Sequence, residues 1–192
     1  MNTTDYFEEL DTETKAIIQN CVDGDNSSDR WKRCLTEGNR SEIFEIEGKD
    51  VILKIFLPKG ARDQDIEALT DLAGIKYFPK LYAYSKKKYL FMEKAKGVSI
   101  HDLLMNGQIT HEKLQIIKEQ VLDAYQEMLT RKRDDHDFKF EHIFWDEESQ
   151  LITWIDLGIC DKLVVYYPSK EEMIENFCEY FEEKLSYYGL KI

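Results

Sequence analysis

Proline is nearly absent from this 192-residue chain, which has 3, and glycine is sparse at 9. Collagen-like and Pro/Gly-rich disordered compositions are thereby excluded, and no internal repeat appears. Long apolar runs are missing as well: no segment reaches the ~20 consecutive apolar residues that a membrane-spanning helix needs. The opening Met1-Asn2-Thr3-Thr4-Asp5 has neither the charged start nor the apolar stretch of a secretory signal, so a soluble, cytoplasmic protein is expected. Cys21, Cys34, Cys160 and Cys178 are scattered, with no C-x-x-C pair and no histidine at zinc-finger spacing, and read as reduced thiols. Positive charge is also short, 26 Lys and Arg against 38 Asp and Glu, for a net −12. That balance argues against a general grip on nucleic acid or an anionic membrane. Two basic islands, Lys86-Lys87-Lys88 and Arg131-Lys132-Arg133, read either as solvated turns or as local patches.

What is present is an ordinary globular composition, 43% hydrophobic, in a chain long enough for one compact domain or two small lobes. Residues 1–30 read as a helical extension, with Phe7, Leu10, Ile17 and Ile18 at helical spacing and a polar loop over 23–28. Residues 31–96 read mainly as short strands. Ser41 to Ile46 and Val51 to Phe56 form a hairpin around Gly48-Lys49-Asp50, and a helix follows with Ile66, Leu69 and Leu72 on one face. A second hairpin is expected around the lysine turn, formed by Leu81-Tyr82-Ala83-Tyr84 and Tyr89-Leu90-Phe91-Met92. Residues 97–192 read as mostly helical: a short capped helix from Ser99, a long one over 111–129 and a last one over 170–187. Between the last two lie Ile143-Phe144-Trp145 and Leu151 to Ile155, two short strands around an acidic turn. The class is α+β. His101 and His111 read as surface residues, whereas Trp31, Trp145, Trp154 and the stripe through Phe177, Tyr180 and Phe181 read as core.

Lys54 stands in the middle of an apolar strand. Burying an ammonium alone is costly, so it either turns to solvent by strand alternation or meets a carboxylate. Glu67, on the helix that follows, is the carboxylate expected to meet it, an arrangement that holds a lysine against the α- and β-phosphates of ATP. The turn Gly38-Asn39-Arg40-Ser41 lies where a phosphate cover is expected; its amides and the Ser41 hydroxyl are candidate donors, although with one glycine it also reads as an ordinary turn. The densest cluster runs from Asp135-His136-Asp137 through Lys139 and His142 to Asp156-Leu157-Gly158. Phosphoryl transfer needs one carboxylate to accept the hydroxyl proton, and further ligands to hold Mg²⁺ against the phosphates. Asp137, Asp156 and His142 supply that set at the two ends of a strand-turn-strand unit that folds back on itself.

In order and spacing, residues 31–161 resemble the protein-kinase-like superfamily. Val51-Ile52-Leu53-Lys54 is similar to the strand bearing the phosphate lysine, Glu67 to the helix glutamate, and Phe91-Met92-Glu93-Lys94-Ala95 to the hinge whose backbone bonds adenine, which brings Glu93 and Ala95 into the nucleotide site. Asp137 matches the catalytic-loop aspartate and Asp156-Leu157-Gly158 the metal-binding D-F-G. The resemblance implies a two-lobed fold, with a small antiparallel sheet in the first lobe, a hinge near residues 92–96 and a truncated, mainly helical second lobe. The roughly thirty-five residues after Asp156 leave no space for a full activation segment and peptide platform, as in RIO-type and Bud32-type kinases.

Two positions depart from the usual pattern. Asp135 stands where His-x-Asp would place histidine, and His142 replaces the metal-binding asparagine. Histidine ligates divalent ions through neutral imidazole, although Mg²⁺ prefers oxygen. Asp-x-x-x-x-His followed by an apolar strand, an acidic turn and Ile-Asp-Leu is similar to lipopolysaccharide core sugar kinases of the Kdo/WaaP type, which carry histidine here. The implied activity is transfer of phosphate from ATP, with Mg²⁺ or Mn²⁺, to a hydroxyl of a protein, sugar or other small molecule. Lys54 positions phosphates, Glu67 orients Lys54, Asp137 is the base, and Asp156 with His142 holds metal. The alternatives are a pseudokinase that binds without transferring, and an unrelated α+β interaction domain.

Overall fold

A computed structural model of the chain describes residues 1–22, 30–34, 40–58, 63–165 and 168–190. The loop expected over 23–28 and Gly38 and Asn39 of the turn expected before Ser41 lie outside the described residues, as do Leu35, Lys59, Gly60, Tyr166 and Tyr167. The chain divides into two units, residues 1–74 with 79–95, and residues 75–78 with 96–192.

The first unit is built on a six-stranded, wholly antiparallel sheet. Its elements are β1 (Asn2–Thr3), α1 (Asp5–Glu8), α2 (Thr12–Val22), β2 (Trp31–Arg33), β3 (Ser41–Ile46), β4 (Val51–Phe56), α3 (Gln64–Asp71), β5 (Leu81–Ser85) and β6 (Tyr89–Glu93). The strands are ordered β1-β5-β6-β4-β3-β2. The opening segment, expected as a separate helical extension, lies inside this unit. β1 pairs with β5, and Ile18 of α2, fully buried, packs with Ile46, Leu53, Tyr82 and Phe91. Burying each such aliphatic side chain is worth about 1.5–3 kcal/mol. This packing covers the face of β4 that carries Val51 and Leu53, so β4 is buried on both sides and its alternation of polar and apolar residues is lost. The turns fall where expected, with Gly48 at φ +72° and Lys87 at φ +59°.

The second unit comprises β7 (Val98–Ser99), α4 (Ile100–Met105), α5 (His111–Thr130), β8 (Arg133–Asp135), a 3-10 turn (Phe140–His142), β9 (Ile143–Asp146), β10 (Leu151–Trp154), β11 (Cys160–Lys162) and α6 (Lys170–Ser186). Its helices start on their caps. Ser99 accepts from the Asp102 amide, Thr110 from the Lys113 amide, and Ser169 with Glu172 closes a reciprocal capping box. Ile117, Val121 and Met128 of α5, Phe181 and Leu185 of α6, and Trp145 and Trp154 form its core, all buried. Strands order as β10-β9-β7 and, separately, β11-β8. No local pattern marked β1, β7, β8 or β11, because strands of two or three residues are too short to show a period.

Gly97 precedes β7 at φ +84°, and a Cβ built there would lie 1.8 Å from the Trp145 carbonyl oxygen. The obstacle is backbone, which cannot rotate away, and the conformation itself disfavours L side chains. Gly97→Ala is expected to cost about 2–4 kcal/mol by chemical denaturation, through strain and displacement of the β7–β9 pair. A variant within about 0.5 kcal/mol of the parent would show that this close approach is not needed.

Candidate functional site

In the first unit, strand register places the chemistry. Ile43 stands opposite Lys54, and Ser41 opposite Phe56, so Ser41 and Lys54 share one sheet face. Lys54 points away from the Leu53 face and is buried, with its Nζ 3.0 Å from the Asp65 carboxylate; the two side chains are 9% and 8% exposed. The strand lysine therefore meets a carboxylate, as its apolar setting demands. The residue that meets it is Asp65, in the part expected of Glu67 from the kinase-like resemblance. Two residues along a helix is a rotation of about 200°, so Asp65 faces inward with Ile66, Ala68 and Leu69 while Glu67 stands exposed. The signal was available: Asp65 lies four and seven residues before Leu69 and Leu72, on the apolar stripe itself. Ser41 is buried at the start of β3, directly after the exposed Arg40.

At the far end of β6, the Glu93 amide donates to the Lys80 carbonyl at 2.8 Å and the Lys94 amide to the Asp50 carbonyl at 3.1 Å. Both donors are spent within the sheet. Ala95 carries the first amide beyond this ladder, and the chain passes from the first unit to the second directly after it.

The second unit gathers the acidic cluster. β9 and β10 pair with Ile143 opposite Trp154, and the Ile155 amide donates to the His142 carbonyl at 2.9 Å, extending the ladder by one rung. This closure brings His142 to Asp156: Nε2 lies 3.5 Å from Oδ2. Asp156 has φ +58°, a left-handed conformation that costs energy outside glycine and concentrates at functional sites. Burial pushes the His142 imidazole below its ordinary pKa, against the opposing pull of the Asp156 charge. Its Nδ1 is buried without a hydrogen-bond partner among the described residues.

Asp137 sits on the loop before the 3-10 turn, with its carboxylate held by Lys139 at 2.8 Å. That contact raises the Lys139 ammonium above its usual value. Behind the loop, the buried carboxylate of Asp135 accepts from the Asp137 amide and from the Trp154 indole, each at 3.1 Å. Burial pushes this carboxyl up to about 6, the two hydrogen bonds pulling against it and the charges of Asp137 and Asp156 adding to it. Lys139 and Asp135 were given no role in the sequence, although Asp135, Asp137 and Lys139 set three charged side chains at every second residue.

The pair His142 and Asp156 fits a divalent ion in part. Two donors bound to one ion at about 2.1 Å lie roughly 3.0–3.4 Å apart, close to the separation found here. A neutral imidazole with its lone pair available is the state that ligates. Among the described residues no group of three or more His, Cys, Asp or Glu is arranged to hold a metal, so the remaining ligands would be water and phosphate oxygens, as Mg²⁺ commonly takes them. No described helix is long and apolar enough to cross a membrane.

No known protein family matches the sequence, and no curated protein matches it. The fold does match solved structures. One is the kinase PK-1 of the Cydia pomonella granulovirus, with a TM-score of 0.59 and 13% identity over 81% of this chain and 59% of the viral one. The chain thus spans somewhat under two thirds of that protein's length, and at this identity the match shows a kinase-like α+β fold and no more. Since 1590 solved chains match, the fold by itself singles out no acceptor.

The Lys54–Asp65 pair is testable directly. Asp65→Asn is expected to lower stability by about 2–4 kcal/mol, because it weakens the pairing of a buried ammonium. Glu67→Gln should stay within about 0.5 kcal/mol. Denaturant titrations of both variants check this, and the reverse order would return Glu67 to the role.

Proposed function

We propose that the chain is an ATP-dependent phosphotransferase of atypical kinase type. The observation that carries this is the approach of His142 to Asp156, at the end of a hairpin whose preceding loop presents Asp137, in a chain with a kinase-like fold. Lys54 holds the nucleotide phosphates and Asp65 orients it; Glu67, expected in that role, lies on the exposed side of the same helix. The backbone of Glu93 and Ala95 receives adenine, with Ala95 the available amide donor, and Ser41 lines the phosphate side of the sheet. Asp156 and His142 hold Mg²⁺ or Mn²⁺, which supplies charge neutralisation at the phosphates. Asp137 accepts the proton of the attacking hydroxyl, and Lys139 beside it stabilises negative charge there. The acceptor is a hydroxyl of a protein or of a sugar or other small molecule. The histidine ligand favours the sugar-kinase comparison of Kdo/WaaP type.

A second reading, a pseudokinase that binds nucleotide or a protein partner, draws on one observation: Lys139 engages both oxygens of Asp137 at 2.8 and 2.9 Å, leaving the base paired. Thermal-shift titration with ATP, with and without Mg²⁺ or Mn²⁺, followed by a screen of phosphoacceptors, separates the two. The enzyme requires metal-dependent stabilisation and turnover that falls at least about 100-fold in Asp137→Ala. Stabilisation without turnover supports a nucleotide-binding pseudokinase, and no nucleotide shift rejects the enzyme and leaves only a protein-interaction module.

The ligand role of His142 has its own test. Imidazole favours Mn²⁺ over Mg²⁺ more than an amide oxygen does. His142→Asn is therefore expected to lower the ratio of Mn²⁺-supported to Mg²⁺-supported turnover by about 10-fold, while His142→Ala lowers both rates. An unchanged ratio in His142→Asn would remove His142 from the metal site.

A further inference from the structure

The loop that carries Asp137 is held from behind by a group that the phosphotransfer reading does not use. Asp135 ends β8, whose pairing with β11 places Cys160 opposite it, and its side chain is 6% exposed. One carboxylate oxygen takes the backbone N–H of Asp137; the other takes the indole N–H of Trp154, the last residue of β10. Trp154 is fully buried, stacked against Phe177 and edge-on to Phe138, so it is a fixed point. Asp156 follows two residues later.

We propose that Asp135 is a positioning residue, its buried carboxylate tying the base-bearing loop at Asp137 to the strand end that leads to Asp156. This rests on the phosphotransfer reading for its consequence, though not for the tie itself. The physical case is one of satisfaction. A buried carboxylate is tolerated only with donors, and both oxygens are supplied here by N–H groups that have no freedom to move elsewhere. A neutral amide in its place has a single acceptor oxygen and turns an NH₂ group toward one of two donors. The loop or the indole must then give way, and displacement of a base by about 1 Å is enough to cost on the order of 100-fold in rate.

Charged and titratable groups surround this carboxylate. Asp137 on the loop and Asp156 beyond β10 raise its affinity for a proton, as burial does more strongly. Tyr125 of α5 and Cys160 of β11 face it closely enough that its charge helps to raise theirs. The carboxyl of Asp135 is thereby moved from 3.8 to about 6. A raised carboxyl binds its proton more tightly folded than unfolded, so its contribution to stability is full below about pH 4 and is lost as pH rises through about 6. Activity should run the opposite way, since only the ionised form accepts both N–H groups. A purely structural role would move stability and activity together.

The test begins with the unmodified protein. In a pH titration followed by NMR, the Asp137 amide and the Trp154 indole N–H should shift together with one midpoint near 6, and Asp135→Asn should abolish both titrations. In kinetics, Asp135→Asn should lower kcat by about 10- to 100-fold with the nucleotide KM within about twofold, and should lose the acid limb near pH 6. Resonances that stay flat, titrate separately, or still titrate in Asp135→Asn overturn the tie. A kcat within about twofold of the parent overturns its catalytic consequence. An unmodified protein without turnover overturns the phosphotransfer reading alone, and the two resonances then decide the tie by themselves.

Discussion

The register of the β9–β10 hairpin is the constraint on which the acidic cluster depends. With Ile143 opposite Trp154 and one further rung from Ile155 to His142, the open end of the hairpin delivers His142 and Asp156 to the same place. A slip of one residue would reverse every side chain on the strand, turning Trp145 and Trp154 out of the core and the histidine away from the aspartate. Those two tryptophans are fully buried, so the hydrophobic term that fixes the register also fixes the polar site at its end. Packing and polar geometry are here one constraint, because a slip that parted His142 from Asp156 would also expose two of the largest side chains in the unit.

The first unit follows the same logic with opposite materials. β4 is buried on both faces, which leaves no solvent-facing position for Lys54. The ammonium therefore needs a carboxylate from an element packed on its own face, and α3 supplies Asp65 from its apolar stripe. A buried pair of this kind adds little net stability relative to apolar residues of the same size. It is retained at a cost, and such costs concentrate where a charge is used.

Much of this was legible from the sequence, and the limits have physical causes. Periodicity found the two hairpins and the helices α3, α5 and α6, because each is long enough to show its period. It passed over β7, β8 and β11, which have none to show. The Lys54 environment left two readings, exposure by strand alternation or a carboxylate partner, and that partner was assigned by analogy. The helical wheel, which puts Asp65 and not Glu67 on the stripe with Leu69 and Leu72, carried the better signal. His142 and Asp156 were legible as a pair from spacing. Asp135 appeared only as a departure from His-x-Asp, because its role depends on Trp154, nineteen residues away, and on a pairing no local pattern shows.

The departure at Asp135 bears on what a missing motif residue means. A histidine before the catalytic aspartate and an aspartate in the same place differ in charge, yet a loop needs only an acceptor with fixed donors to hold its backbone, and a buried carboxylate supplies two acceptor oxygens at once. The charge is the cost. Burial of that charge lifts the Asp135 pKa to about 6 and makes the proposed anchoring sensitive to pH, where a neutral anchor of fixed protonation would not be. Loss of the usual residue is thus no measure of lost function by itself. The same reasoning applies at His142 under the proposed metal role: imidazole nitrogen in place of an amide oxygen changes which metal suits a site before it changes whether one is held. On the proposed phosphotransfer reading, both substitutions keep a physical role while changing its chemistry: an acceptor for fixed N–H donors at 135, and a lone-pair donor beside Asp156 at 142.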